Sequence, residues 1–160
     1  MTSKNERFYP DGARPMEIAL RKATPKDLDF LIDLHAAAMR DVVVRTWGKW
    51  DPEWQRSRLL SRLDLERVQL IQRKGADVGM LETQSEPALL HIINVQVLPE
   101  FQRLGIGSLA IKQAIDEARL SGRGARLQVL RHNNDAIRLY QRLGFSTIDH
   151  TDTHSVMELA

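Results

Sequence analysis

The stretch Gln102-Arg103-Leu104-Gly105-Ile106-Gly107 is where this chain is best built to hold a ligand. Glycines at 105 and 107 let another group approach the backbone closely, and Ile106, Leu109, Ala110, Gln113, Ala114 and Ala118 follow at helical spacing. The stretch therefore opens a helix. The first N–H groups of a helix lack intrahelical acceptors, which suits a phosphate or diphosphate. Gly105-x-Gly107-x-x-Ala110 also fits the dinucleotide pattern G-x-G-x-x-G/A. That pattern wants its first glycine directly behind a strand, but Leu98 to Leu104 intervene here. The next strand ends in Val129-Leu130-Arg131, with no acidic residue for a ribose. A plain tight strand–helix turn would also use both glycines.

The elements that must position this stretch can be read on either side of it. Leu89 to Val97 reads as a buried strand that Pro99 ends, because proline has no N–H for a ladder. In a regular strand His91, Ile93, Val95 and Val97 share one side, and Ile92, Asn94 and Gln96 the other. Ser121-Gly122-Arg123-Gly124 stops the helix, and Ala125 to Leu130 reads as a strand parallel to the first through a right-handed crossover. Asn133 caps a further helix that ends at Gly144, and Phe145–Ile148 with Ser155–Leu159 suggests a closing hairpin. Upstream, a strand begins near Met16, and Thr24-Pro25-Lys26-Asp27 starts a helix whose face holds Leu28, Leu31, Ile32, His35, Ala38 and Met39. Arg40 to Trp54 is irregular and holds all three tryptophans, Trp47, Trp50 and Trp54, as core plugs or as the lining of a pocket. Asp51-Pro52-Glu53 starts a second helix, and Val68–Gln72 with Val78–Thr83 forms a hairpin. Residues 1–15 are polar and aperiodic, a mobile extension before a single domain over 16–160.

Composition narrows the function. The 160 residues are 42% hydrophobic and 28% charged, as in an ordinary globular domain. No apolar run nears the roughly 18 residues of a membrane helix. The N-terminus has no signal core, so the expected location is cytoplasmic, with no membrane partner. No cysteine is present, which excludes a disulfide framework, a cysteine metal site and a cysteine acyl-enzyme. Net charge is only +2, yet residues 101–142 carry eight basic side chains against three acidic ones. That is either a solvated helix face or a field for a polyanionic cofactor; no nucleic-acid motif accompanies it.

Gln102-x-x-Gly105-x-Gly107, led in by Val97-Leu98-Pro99-Glu100, resembles the Q/R-x-x-G-x-G/A signature with which GNAT-superfamily N-acetyltransferases cradle the diphosphate of coenzyme A. Asn133-x-x-Ala136-x-x-x-Tyr140-x-x-x-Gly144-Phe145 resembles the closing motif of the same family. The resemblance implies an α/β (α+β) fold with a mixed, mostly antiparallel central sheet, a splayed parallel strand pair and flanking helices. It implies direct transfer of an acetyl group from acetyl-CoA to a primary amine of a small molecule or protein, with no covalent acyl-enzyme and no metal. The alternative is a non-catalytic acyl-CoA-binding or sensing module. The implied cofactor-binding residues are Val97, Leu98, Gln102, Arg103, Leu104, Gly105, Ile106, Gly107, Ser108, Asn133, Ala136, Tyr140 and Arg142. Tyr140 matches the general acid that protonates the departing thiolate; a phenol near pKa 10 suits a thiol near 8–9. His91 stands where histone-acetylating relatives carry a glutamate base, with Glu82 or a water chain as alternatives. The family's habit also makes a homodimer an expectation.

Overall fold

The computed structural model describes residues 17–159; the extension expected over 1–15 lies outside the described residues. Seven strands form one sheet in the order β1-β2-β3-β4-β5-β7-β6. They are β1 (Ala19–Lys22), β2 (Val68–Arg73), β3 (Ala76–Ser85), β4 (Leu89–Val97), β5 (Gly124–Leu130), β6 (Phe145–His150) and β7 (His154–Leu159). Only β4 and β5 run parallel; every other neighbouring pair is antiparallel. The helices are α1 (Leu28–Trp47), α2 (Pro52–Arg62), α3 (Ile106–Leu120) and α4 (Asn134–Arg142). This is the mixed, mostly antiparallel sheet with one parallel pair that the motifs implied. No helix among the described residues is long and apolar enough to cross a membrane.

Two cores hold the layers together. On one face Leu90, Ile92, Leu127 and Met157 pack with Ile106, Ala110, Ile111 and Ile115 of α3 and with Tyr140 of α4. On the other, Val68, Leu70 and Met80 pack with Leu31 and Leu34 of α1. Arg21 joins Asp27, which precedes α1, to Asp77 in β3, at 2.8 and 2.9 Å. The Asp27 carboxylate also accepts the Thr24 N–H at 2.8 Å, which fixes the entry into α1. Lys74 and Gly75, with φ of 51° and 79°, make the two-residue turn between β2 and β3.

Two expectations need correction. The stretch from Arg40 is not irregular: α1 runs on to Trp47 because Val42 and Val43 continue its buried stripe, and it stops at Gly48 in the left-handed region. Trp47 and Trp54 therefore stand on helices, each 52% exposed, rather than in a loop. The strict alternation along β4 also fails. Glu82 pairs with Asn94 and Thr83 with Ile92, so Ile93 is an extra residue in a β-bulge. After the bulge the sides exchange. Val95 and Val97 join Ile92 against the α3 core, and His91 falls on the face of Asn94 and Gln96.

Candidate active site

The bulge in β4 coincides with the opening of the sheet. Pairing of β4 with β5 runs from Leu89↔Gly124 to Ile92↔Leu127 and ends there, so the rest of the two strands splays apart. Leu98 N–H donates to Val78 O at 2.9 Å, which fixes the ladder phase between β3 and β4. In that phase Gln96 turns its backbone groups to β3, whereas Val95 and Val97 turn theirs into the gap. The Val97 carbonyl accepts from Gln102 Nε2 at 2.9 Å; Val95 N–H, Val95 C=O and Val97 N–H face the gap. The gap-facing backbone thus belongs to Val95 and Val97, while Leu98 has its N–H engaged and packs with the α1 core.

A loop of backbone donors stands at the end of this gap. Gln102 N–H donates to Pro99 O, but none of the next six N–H groups, Arg103 to Ser108, donates a hydrogen bond among the described residues. Arg103 and Gly105 have φ of 63° and 85°, which turns successive N–H groups toward one side, and α3 follows at once. Such a nest at a helix N-terminus suits a diphosphate. The chain folds so because Gly105 tolerates the left-handed region, whereas Gly107 has ordinary room for a Cβ. A Cβ on Gly107 would lie 3.9 Å from Leu139 Cδ1, 3.9 Å from Val97 Cγ2 and 4.0 Å from Val95 Cγ2. The loop, the end of β4 and α4 thus meet at one point.

Gly79 is a residue that the sequence pattern did not mark. A Cβ there would come within 2.4 Å of the Gln96 carbonyl oxygen and 3.3 Å of Val97 Cα. Only a bare Cα lets β3 approach β4 this closely beside the gap.

Asn133 caps α4 by accepting the Ala136 N–H at 3.3 Å, which leaves its amide N–H groups without a partner among the described residues. Ala136 and Tyr140 follow on α4 against the α3-side core. Burial pushes the Tyr140 phenol up, and Phe145 holds the ring edge-on at 6.0 Å. Its hydroxyl has no hydrogen-bond partner among the described residues, yet no fully buried polar side-chain atom there lacks one. The oxygen therefore opens to accessible space. Arg103, Leu104 and Arg142 are exposed around the loop and the end of α4.

The opposite face of the sheet carries a second polar group. His35 of α1 meets Gln55 of α2 through Nε2 and Gln96 of β4 through Nδ1, both at 3.1 Å. Burial lowers the pKa of His35, partly offset by the Gln55 bond, so a neutral ring links two buried amides. Glu82, opposite Asn94, is 7% exposed and has no side-chain hydrogen bond among the described residues. Burial raises its carboxyl pKa, against the pull of Arg67 and Arg62. His91 does not join this group. It lies in the closed part of the β4–β5 pair, opposite Arg126, and binds Glu86 at 3.1 Å. The arrangement can hold an anionic, elongated ligand along the gap. It offers a proton donor on the α4 side and a buried carboxylate on the other.

Comparison with known proteins bears on the family and the fold. The profile described as the acetyltransferase (GNAT) family matches residues 33–145. An uncharacterised N-acetyltransferase of Methanocaldococcus jannaschii is 30% identical over 141 residues, which take in 79% of this chain. The chain spans 59% of that protein's length. An N-alpha-acetyltransferase of Sulfurisphaera tokodaii is 23% identical over 146 residues, covering 88% of this chain and 87% of that one. The crystal structure of the PaiA N-acetyltransferase of Thermoplasma acidophilum, in complex with coenzyme A, superposes with a TM-score of 0.69. It is 21% identical and covers 90% of this chain and 99% of its own.

Proposed function

The chain belongs to the GNAT acetyltransferase family, and from that premise we propose that it transfers an acetyl group from acetyl-CoA directly to a primary amine. The observation that carries this reading is the coincidence of the β4–β5 gap with the nest from Arg103 to Ser108. When bound, acetyl-CoA supplies an activated thioester, so the protein has only to position, polarise and move protons. The N–H groups of the nest hold the diphosphate, with Arg103 and Arg142 adding charge at its edge. Val95 and Val97 present their backbone to the pantetheine arm and donate toward the carbonyl of the acyl group. Asn133 offers its amide N–H groups to the arm, and Ala136 leaves room beside it.

Tyr140 serves as the acid. As the new N–C bond forms and the C–S bond breaks, its hydroxyl gives a proton to the departing sulfur. The proton lost by the amine leaves on the other face. Glu82 fits this role better than His91, because it sits next to the splay, whereas His91 stands in the closed part of the pair beside Glu86. A carboxyl raised by burial is closer in pKa to neutral pH and is a stronger base there.

The test is calorimetric titration with acetyl-CoA, followed by transfer of labelled acetyl to a panel of small amines and peptides. Saturable binding with labelled product is expected. Binding without product across the panel would leave an acyl-CoA-binding module; no binding by a folded protein would remove the cofactor site itself.

A further inference from the structure

We propose that Arg62 and Arg58 of α2 form an anion-reading rim over the acceptor side of the β4–β5 gap, so that the amine accepted here carries a carboxylate close to its nitrogen. This inference rests on the transferase reading and names the acceptor of that same site.

The placement of α2 makes the argument. Its one buried residue is Gln55, rooted through His35 onto Gln96 of β4. That bond fixes which face of α2 looks at the sheet. Arg62 is seven residues on and returns to nearly the same azimuth, about 10 Å further along the axis. Arg58, three residues on, stands on the same side. The electrostatics of two nearby groups agree with this direction. Besides burial, Arg62 and Arg58 hold down the imidazole of His154 at the start of β7. Arg62 also acts on Glu82 of β3. In the order β3-β4-β5-β7, those two residues lie on the strands that flank β4 and β5. Gln96, where the chain of bonds from α2 ends, lies beyond the last β4–β5 pair, so this face of α2 is anchored where the two strands splay.

Neither arginine is neutralised at ion-pair distance by a described residue. Arg58 instead lies over the Trp54 ring, 5.1 Å from its centroid. The floor below is polar but uncharged where the strands part: Asn94 on β4 and Gln128 on β5, with Glu82 at one margin and His154 at the other. An acceptor with its amine toward Glu82 and a carboxylate under Arg62 matches both charges. A polycationic amine meets like charge at the rim.

Three dipeptide amides, each with its α-amine as the one nucleophile, separate the outcomes: alanyl-aspartate, alanyl-asparagine and alanyl-arginine. Each is titrated into the CoA-loaded protein, and each is assayed as an acceptor of labelled acetyl. The aspartate peptide is expected to bind and to react with KM about tenfold lower than the arginine peptide, the size of one well-placed charge pair. Arg62→Gln and the double variant with Arg58→Gln should erase that gap through KM, while any change in kcat is common to the three peptides. Arg62→Glu should invert it. Both residues are exposed, so folding, checked by circular dichroism, is expected to survive. Equal affinity for all three peptides, absence of binding by any, or a preference untouched in the variants would overturn the rim. Charge-selective binding without acetyl transfer would keep the rim and sink the transferase reading. Transfer without charge preference would do the reverse.

Discussion

At the scale of single residues, the proposed reaction divides its proton traffic between two side chains on opposite faces of the sheet. Tyr140→Phe removes one oxygen from a ring held by Phe145 and the surrounding core, so the fold and the nest stay as they are. Turnover should fall by about a hundredfold, as for the loss of a general acid, while CoA affinity from calorimetry stays within about twofold. Turnover within about threefold of wild type would take Tyr140 out of the acid role. Glu82 is the converse case, a carboxylate kept buried without a hydrogen-bond partner among the described residues. Burial raises its folded-state pKa, so its ionised form costs stability at neutral pH. Glu82→Gln should therefore melt higher, by about 2–5 °C, while kcat/KM drops and loses its decline on the acid side. A variant that is less stable and equally active would mark Glu82 as structural. The proposed role of Tyr140 lay within reach of the sequence, because Tyr140 belongs to a motif. The choice of Glu82 over His91 did not, because a bulge at Ile93 decides which face each residue meets.

At the scale of elements, the gap depends on how closely β3 holds the far side of β4. Gly79→Ala puts a methyl group against the Gln96 carbonyl, and backbone, not a flexible side chain, must give way. The expected cost is about 1–3 kcal/mol in denaturant unfolding, together with weaker CoA binding as Val95 and Val97 shift. Loss of stability with CoA affinity unchanged would show that β4 can move without disturbing the gap. The hairpin turn, the Asp51-Pro52 start of α2 and the Asn133 cap were legible because turn and cap chemistry is local. The length of α1 was not. Its last turns present Trp47 and Val44 to solvent, so the apolar stripe that marks a helix fades before the helix ends.

For the whole molecule, pH should act on stability with opposing signs. The folded pKa values of His35 and His154 are depressed, so the unfolded chain takes up these protons first. Their contribution is complete above about pH 6.5 and is lost as pH falls below it. Glu82 works the other way. Its folded pKa is raised, so the folded state gains stability as pH drops through that value. Asp27, held at about 2 by the guanidinium of Arg21, gives its contribution up last, as pH falls from about 4 toward 2. Melting temperatures between pH 7 and 5 should thus fall more steeply in Glu82→Gln than in wild type. Parallel profiles in the two proteins would contradict this balance.

By itself the sequence determined the order of elements after Leu89, the donor loop and the family, because two glycines, a proline, a capping asparagine and a Gly-Phe pair act through local backbone chemistry. The element order before it was also legible, apart from the reach of α1. Only the tertiary structure decided where the sheet opens and what stands on either side of the opening. An inserted residue at Ile93 reverses the facing of everything before it, and Gly79 sets the approach of β3. The buried link from Gln55 through His35 to Gln96 ties α2, by way of α1, to β4 beyond its last pair with β5. Those features join residues far apart in the chain, and no spacing along the chain encodes a contact made across a sheet.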